Sequence, residues 1–139
     1  MELEKIMSMW EEDAHIDDKD LDNESLNIPN VHQKYLDIYS KEKKKMSDLE
    51  THWKVLFQQR WEVVISKNGK APDHNIRISK TELERHYVAA DSVLQKAEYI
   101  MNEQKSKVEY LKSVLSMIEN RSFHINNAIN WRKFVAGLG

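Results

Sequence analysis

The stretch YLDIYSKEKKKMSDLETHWKVLFQQRWEV, residues 35–63, decides the fold. Read in sevens, it places Tyr35, Glu42, Leu49, Leu56 and Val63 at one core position and Tyr39, Met46, Trp53 and Arg60 at the other. Seven of those nine residues are apolar, which predicts a long helix carrying a continuous seam that packs against a second surface. Glu42 and Arg60 interrupt the seam. Either Arg60 turns outward where the helix frays, or it pairs with a carboxylate at a subunit contact.

The rest of the chain agrees with a mainly α protein. Among 139 residues there are three glycines and two prolines, too little punctuation for a many-stranded sheet. A content of 40% apolar and 32% charged residues suits exposed helices that finish their core by oligomerising. The absence of cysteine excludes a disulfide framework and points to an intracellular chain. No apolar run approaches the roughly 20 residues needed to span a bilayer.

Charge is unevenly distributed behind the net value of −2. Residues 1–26 hold ten acids against Lys5 and Lys19, whereas residues 27–85 hold twelve Lys or Arg against eight acids. An acidic head therefore precedes a basic body.

Working outward, Leu3, Ile6, Met7 and Trp10 form one apolar stripe of a short N-terminal helix. Asp13–Asn23 is polar and aperiodic, so a loop is expected there, with Ser25 or Asn27 capping the long helix and Pro29 in its first turn. Residues 66–79 contain Asn68-Gly69 and Pro72 and mark a basic loop in which the chain reverses. Ser79-Lys80-Thr81-Glu82 fits a capping box that starts a second long helix at Lys80.

Apolar spacing in that second helix runs through Leu83, Tyr87, Ala90, Leu94, Ala97, Met101, Val108, Leu111, Leu115 and Ile118, broken by a polar patch at Glu103–Lys107. Ser122, Ile125, Ile129 and Arg132 extend the seam, and Asn120–Ser122 is either a kink or a new start. Gly137-Leu138-Gly139 is the expected stop. The organisation expected is one helical domain: an acidic segment 1–28, a first long helix 29–65, the loop 66–79, and a helical oligomerisation region 80–139. Its form is a long-helix hairpin with coiled-coil-like seams.

Catalytic signatures are missing. Glycines at 69, 137 and 139 alone cannot assemble a phosphate-cradling loop or a dinucleotide fingerprint. The six histidines show no metal-ligand spacing, and Asp18, Asp20 and Asp22 imitate a calcium loop whose glycine and closing glutamate positions are Asn23 and Pro29. Neither metal, cofactor nor enzymatic activity is expected.

What remains is the basic stretch. Lys41, Lys43, Lys44 and Lys45 cluster on the first helix, while Lys54, Arg60, Lys67, Lys70, Arg77, Lys80 and Arg85 surround its end, with Trp61 among them. Cations follow a phosphate backbone and an aromatic ring stacks on an unpaired base, a combination suited to single strands. The alternative is that the lysines solvate a helix flank and Trp61 packs in the core, giving a structural coiled-coil adaptor that binds only protein.

The run NRSFHINNAINWRKFVAG at 120–137 resembles the end of the UvsY recombination mediators of T4-like bacteriophages. Ile16-Asp17, Leu21, Glu24-Ser25, Pro29, His32, Lys34-Tyr35 and Tyr39-Ser40 are similar in order to the same family. The resemblance implies a ring-like homo-oligomer, a hexamer or heptamer, in the cytoplasm of an infected bacterium. It implies binding to single-stranded DNA, contact with the phage single-strand-binding protein, and help to a RecA-like recombinase in displacing it, in recombination, repair and replication. The family's DNA-binding signature is a basic residue, a spacer, an arginine, and a hydrophobic-aromatic stretch ending in Gly-Lys or Gly-Arg. Here it reads QQRWEVVISKNGK at 58–70: Arg60 is kept, Gln58 replaces the first basic residue, and Val63-Val64 replace the usual tyrosines. The resemblance therefore implies Arg60 first, then Lys67, Lys70, Lys54 and Trp61, as nucleic-acid contacts. It also implies that the C-terminal seam, through Leu111, Leu115, Ile118, Ile125 and Ile129, holds the oligomer together.

Overall fold

The computed structural model describes residues 1–68, 85 and 87–137, with side chains for 1–62, 85 and 87–137. The described residues include four helices: α1 (Leu3–Asp13), α2 (Leu21–Asn68), α3 (Ser92–Glu119) and α4 (Arg121–Val135). Residues 87–90 are also helical. The loop at 69–79, the Ser79–Glu82 capping box, the helix start at Lys80, and Leu138-Gly139 lie outside the described residues. Residues 66–68, expected in the loop, are helical and belong to α2.

The residues group into two compact units, Met1–Glu42 with Lys107–Gly139, and Lys43–Ser106. Each unit draws on both α2 and α3, because sequence-distant arms of the two helices meet.

In the first unit, Ile6, Tyr35, Leu111, Val114, Leu115 and Ile118 form the buried core, with Trp10, Ile28 and Val31 packed against it. Burying side chains of this size contributes roughly 1.5–3 kcal/mol each. His32 lies 3.7 Å from Glu119 and Glu42 lies 3.5 Å from Lys107, so α2 and the end of α3 run antiparallel here. Glu42 is buried, but its carboxylate also meets the Met1 ammonium at 3.1 Å, which offsets the cost of desolvating it.

α1 is fastened at its C-terminus. The Asp13 carboxylate accepts hydrogen bonds from Lys34 Nζ and Tyr35 Oη, each at 2.7 Å. The buried Arg121 guanidinium donates to the Asp13 and His15 carbonyls left unpaired where α1 ends, and its carbon lies 5.9 Å from the centroid of Trp10. Trp10 in turn meets Tyr35 edge to face at 5.5 Å.

α2 begins at Leu21 rather than at Pro29, so Ser25, Asn27 and Pro29 lie inside it. Asp17 Oδ1 accepts from the Lys19 amide in a side-chain turn, and the Asp20 carbonyl accepts from the Glu24 amide, which starts the helix in the stretch expected as loop. Proline in a helix interior costs about 3 kcal/mol, but Pro29 is exposed and the added turns bury Leu21 and bring Ile28 and Val31 onto the core. Packing overrides the local signal.

The seven-residue pattern agrees with burial along α2. Tyr35, Tyr39, Glu42, Met46, Leu49, Trp53, Leu56 and Arg60 are all buried or half-buried, whereas Lys41, Lys43, Lys44 and Lys45 are exposed. In α3 the buried Gln104 occupies the seam inside the polar patch. Asn120 separates α3 from α4 without a side-chain cap, and Gly137 adopts φ +75°, the left-handed conformation that ends α4.

The seam from Leu111 to Ile129 is shielded to differing degrees. Leu111 and Ile118 are fully buried, Leu115 and Ile125 nearly so, and Ile129 is half-buried, all within the chain's own fold. They are occupied by intramolecular contacts, leaving Phe123, Trp131, Phe134 and Val135 as the exposed apolar residues of α4. Among the described residues no helix is long and apolar enough to cross a membrane.

Candidate nucleic-acid interface

Apart from Lys41, the second unit holds the described part of the basic and aromatic stretch. Four-residue spacing puts Trp53, Phe57 and Trp61 on one face of α2. Trp53 and Phe57 have ring centroids 6.2 Å apart, and Phe57 and Trp61 lie 6.4 Å apart at an interplanar angle of 7°. Tyr87 closes the group edge-on, 5.5 Å from Phe57 and 5.0 Å from Trp61. Its hydroxyl is enclosed with no hydrogen-bond partner among the described residues, and that burial, with the negative charge of Asp91, raises its pKa.

Trp61 is therefore half-buried in an aromatic cluster rather than a free platform. Trp53 and Phe57, also half-buried, are its sequence neighbours on the same face.

Arg60 is fixed by a carboxylate of its own chain. Its Nε donates to Asp91 Oδ2 at 2.7 Å and its Nη2 to Asp91 Oδ1 at 3.3 Å, a two-point contact that sets the plane of the guanidinium. Asp91 Oδ1 also accepts from the amides of Val93 at 2.9 Å and Leu94 at 3.3 Å, so the same side chain caps α3. The hydrogen bond from Arg60 is the main reason that the Asp91 carboxyl lies below its usual range, with the two backbone bonds adding to it against burial.

A guanidinium carries five N–H donors, and the pair uses two of them. The Arg60 side chain is 41% exposed. Its plane is held by Asp91 while part of the side chain stays open to solvent.

Lys54 and Arg85 are exposed, and neither forms an ion pair with another described residue. They add two cations near the aromatic face, since both line a groove shared with Trp53 and Phe57. The Lys67 side chain and all of Lys70 lie outside the described residues. Arg60, Lys54 and Trp61 thus fall in one unit, which also contains Arg85 and Trp53.

Asp91 lies outside the site that the sequence predicts, because apolar spacing runs the second helix unbroken through Tyr87, Ala90 and Leu94. Instead residues 87–90 end at Asp91 and α3 starts at Ser92. Asp91-Ser92 after two alanines was the available signal, a capping residue at a helix start.

Residues 9–138 match the family described as "Recombination, repair and ssDNA binding protein UvsY". The fold is similar to crystal structures of the bacteriophage T4 recombination mediator protein UvsY. One has a TM-score of 0.79 at 24% identity over 98% of each chain. Another has 0.76 at 23% identity over 96% of this chain and 98% of that one. No protein among curated sequences matches this one.

Proposed function

The chain belongs to the UvsY family of recombination, repair and single-stranded-DNA-binding proteins, and from that membership we propose that it is a recombination mediator acting in the cytoplasm of an infected bacterium. It binds single-stranded DNA, contacts the phage single-strand-binding protein, and promotes loading of a RecA-like recombinase on the covered strand. It performs no bond chemistry of its own.

The observation that carries this reading is Arg60 on Asp91 with Lys54, Arg85 and the aromatic face in the same unit. Cations neutralise phosphates and ring faces take bases without reading identity, which is what a mediator needs on arbitrary sequence. Lys67 and Lys70 extend the same basic stretch in sequence.

Self-association, as a ring-like hexamer or heptamer, multiplies modest contacts through multivalency. Because Leu111, Leu115, Ile118 and Ile125 are buried in the chain's own fold, the reading adds the outward residues of α4 to the subunit contact expected at the C-terminal seam. Trp131 and Phe134 are 64% and 70% exposed and stack at 5.7 Å. With Phe123 and Val135 also exposed on α4, they offer apolar surface of the kind that contiguous interaction patches use.

Titrating a labelled oligonucleotide at increasing salt tests the DNA reading. Affinity should fall with a log–log slope of about −0.7 per neutralised phosphate. Affinity independent of salt, or no binding at low salt, sinks the mediator reading in favour of a protein-only adaptor.

A further inference from the structure

Within the second unit, α2 and the residues around the start of α3 enclose an open groove of about 860 Å³, within the size range of small-ligand clefts. Its apolar walls are Trp53, Phe57, Val88 and Met101. Lys54 and Arg85 stand at the exposed margin, and the half-buried Glu98 supplies a carboxylate to the lining.

This mixture discriminates between the parts of a nucleotide. A phosphate gains nothing from two aromatic rings and is repelled by Glu98, whereas the cations at the margin attract it. A base is flat and apolar on its faces, so it suits Trp53 and Phe57, and an exocyclic amino group is a donor that a carboxylate accepts. A thymine would instead turn its O4 acceptor toward the same negative charge. Gln95 Nε2 is engaged with the Ala89 carbonyl at 2.6 Å, so it holds the groove margin in place.

We propose that this groove receives one unstacked nucleobase of the bound strand, its ring against Trp53 and Phe57, its amino group toward Glu98, and its flanking phosphates at Lys54 and Arg85. The assignment rests on the single-strand reading above and adds to it a base-accepting site with a preference for amino-bearing bases. The protein then holds its strand by bases as well as by phosphates, with the strand splayed at each subunit.

The test compares three oligonucleotides of equal length, poly-dC, poly-dT and an abasic strand, by fluorescence anisotropy with the full chain. The expected order is dC, then dT, then abasic, with dC at least fivefold tighter than the abasic strand. Trp53→Ala should erase most of the advantage of bases while leaving abasic affinity in place. Trp53→Leu, which retains apolar volume but no ring face, should do the same and keeps the test valid where Trp53→Ala unfolds. Glu98→Gln, able both to donate and to accept, should bring dC and dT together.

Equal affinity of wild-type protein for base-bearing and abasic strands overturns the groove assignment while leaving phosphate-driven binding intact. An unchanged dC-to-dT ratio in Glu98→Gln overturns the amino-group contact and with it the base orientation proposed. Failure of every strand to bind at low salt overturns the underlying single-strand reading instead.

Discussion

Arg60 and Asp91, 31 residues apart, share a two-point ion pair in which the carboxylate also caps α3. One side chain therefore ties α2 to the start of α3 and fixes the plane of a partly exposed cation. Replacing Asp91 with Ala should cost about 1 kcal/mol from the lost cap alone. Asp91→Asn, which still accepts the Val93 amide, should lose less than Asp91→Ala in thermal or urea unfolding. Equal losses would separate the cap from the contact.

Arg60→Ala should weaken single-strand binding and flatten the salt dependence by about 0.7 per phosphate contact removed. Arg60→Lys should recover only part of it, because an ammonium cannot span both Asp91 oxygens while facing a phosphate. Sedimentation should show the same mass for both variants as for the wild type. A change in mass would move Arg60 from the DNA face to a subunit contact.

Acid should loosen both units. Burial pushes the Asp13 carboxyl up, but hydrogen bonds from Lys34 and Tyr35 and the Lys34 charge outweigh it, so its pKa lies below 3.8. Asp91 is likewise lowered, first by its Arg60 bond. Both groups are depressed on folding, so their stabilising contribution is complete well above 3.8 and is lost as pH falls through the lower folded values. Urea midpoints should fall on that acid side, and Asp13→Asn should reduce the slope.

Leu111→Ala should destabilise the chain by about 2–5 kcal/mol, the range for a large buried residue cut to a methyl. Phe134→Ser, at an exposed position, should leave secondary structure unchanged and lower the sedimenting mass. The reverse pattern, assembly lost in Leu111→Ala at full stability and retained in Phe134→Ser, would restore the buried seam as the subunit contact.

Arg121→Met should cost about 1–3 kcal/mol, because the Asp13 and His15 carbonyls lose a buried donor. The loss should appear as faster amide exchange in α1.

Much of the architecture was legible in the chain. The positions Tyr35, Tyr39, Glu42, Met46, Leu49, Trp53, Leu56 and Arg60 were named by spacing and are the shielded face of α2. Helix ends were less legible where packing opposed a local rule, as at Pro29, which the burial of Leu21 and the packing of Ile28 and Val31 place inside a helix. Of the candidate site, Arg60, Lys54 and Trp61 were visible as a basic and aromatic stretch. Asp91 and Glu98 were not, because a carboxylate on another helix has no sequence proximity to announce it.

By itself the sequence determined the helical class, the period of the apolar face, the absence of recognisable catalytic motifs, and the stretch where cations and rings alternate. These are local properties, carried by residues within one or two helical turns. The tertiary structure decided what occupies each face: Asp91 under Arg60, Lys107 and the Met1 ammonium on Glu42, and the chain's own core around Leu111 and Ile118. Periodicity reports that a face is covered. Which group covers it depends on how distant segments fold together, and that is set by the sum of many weak contacts over the whole chain.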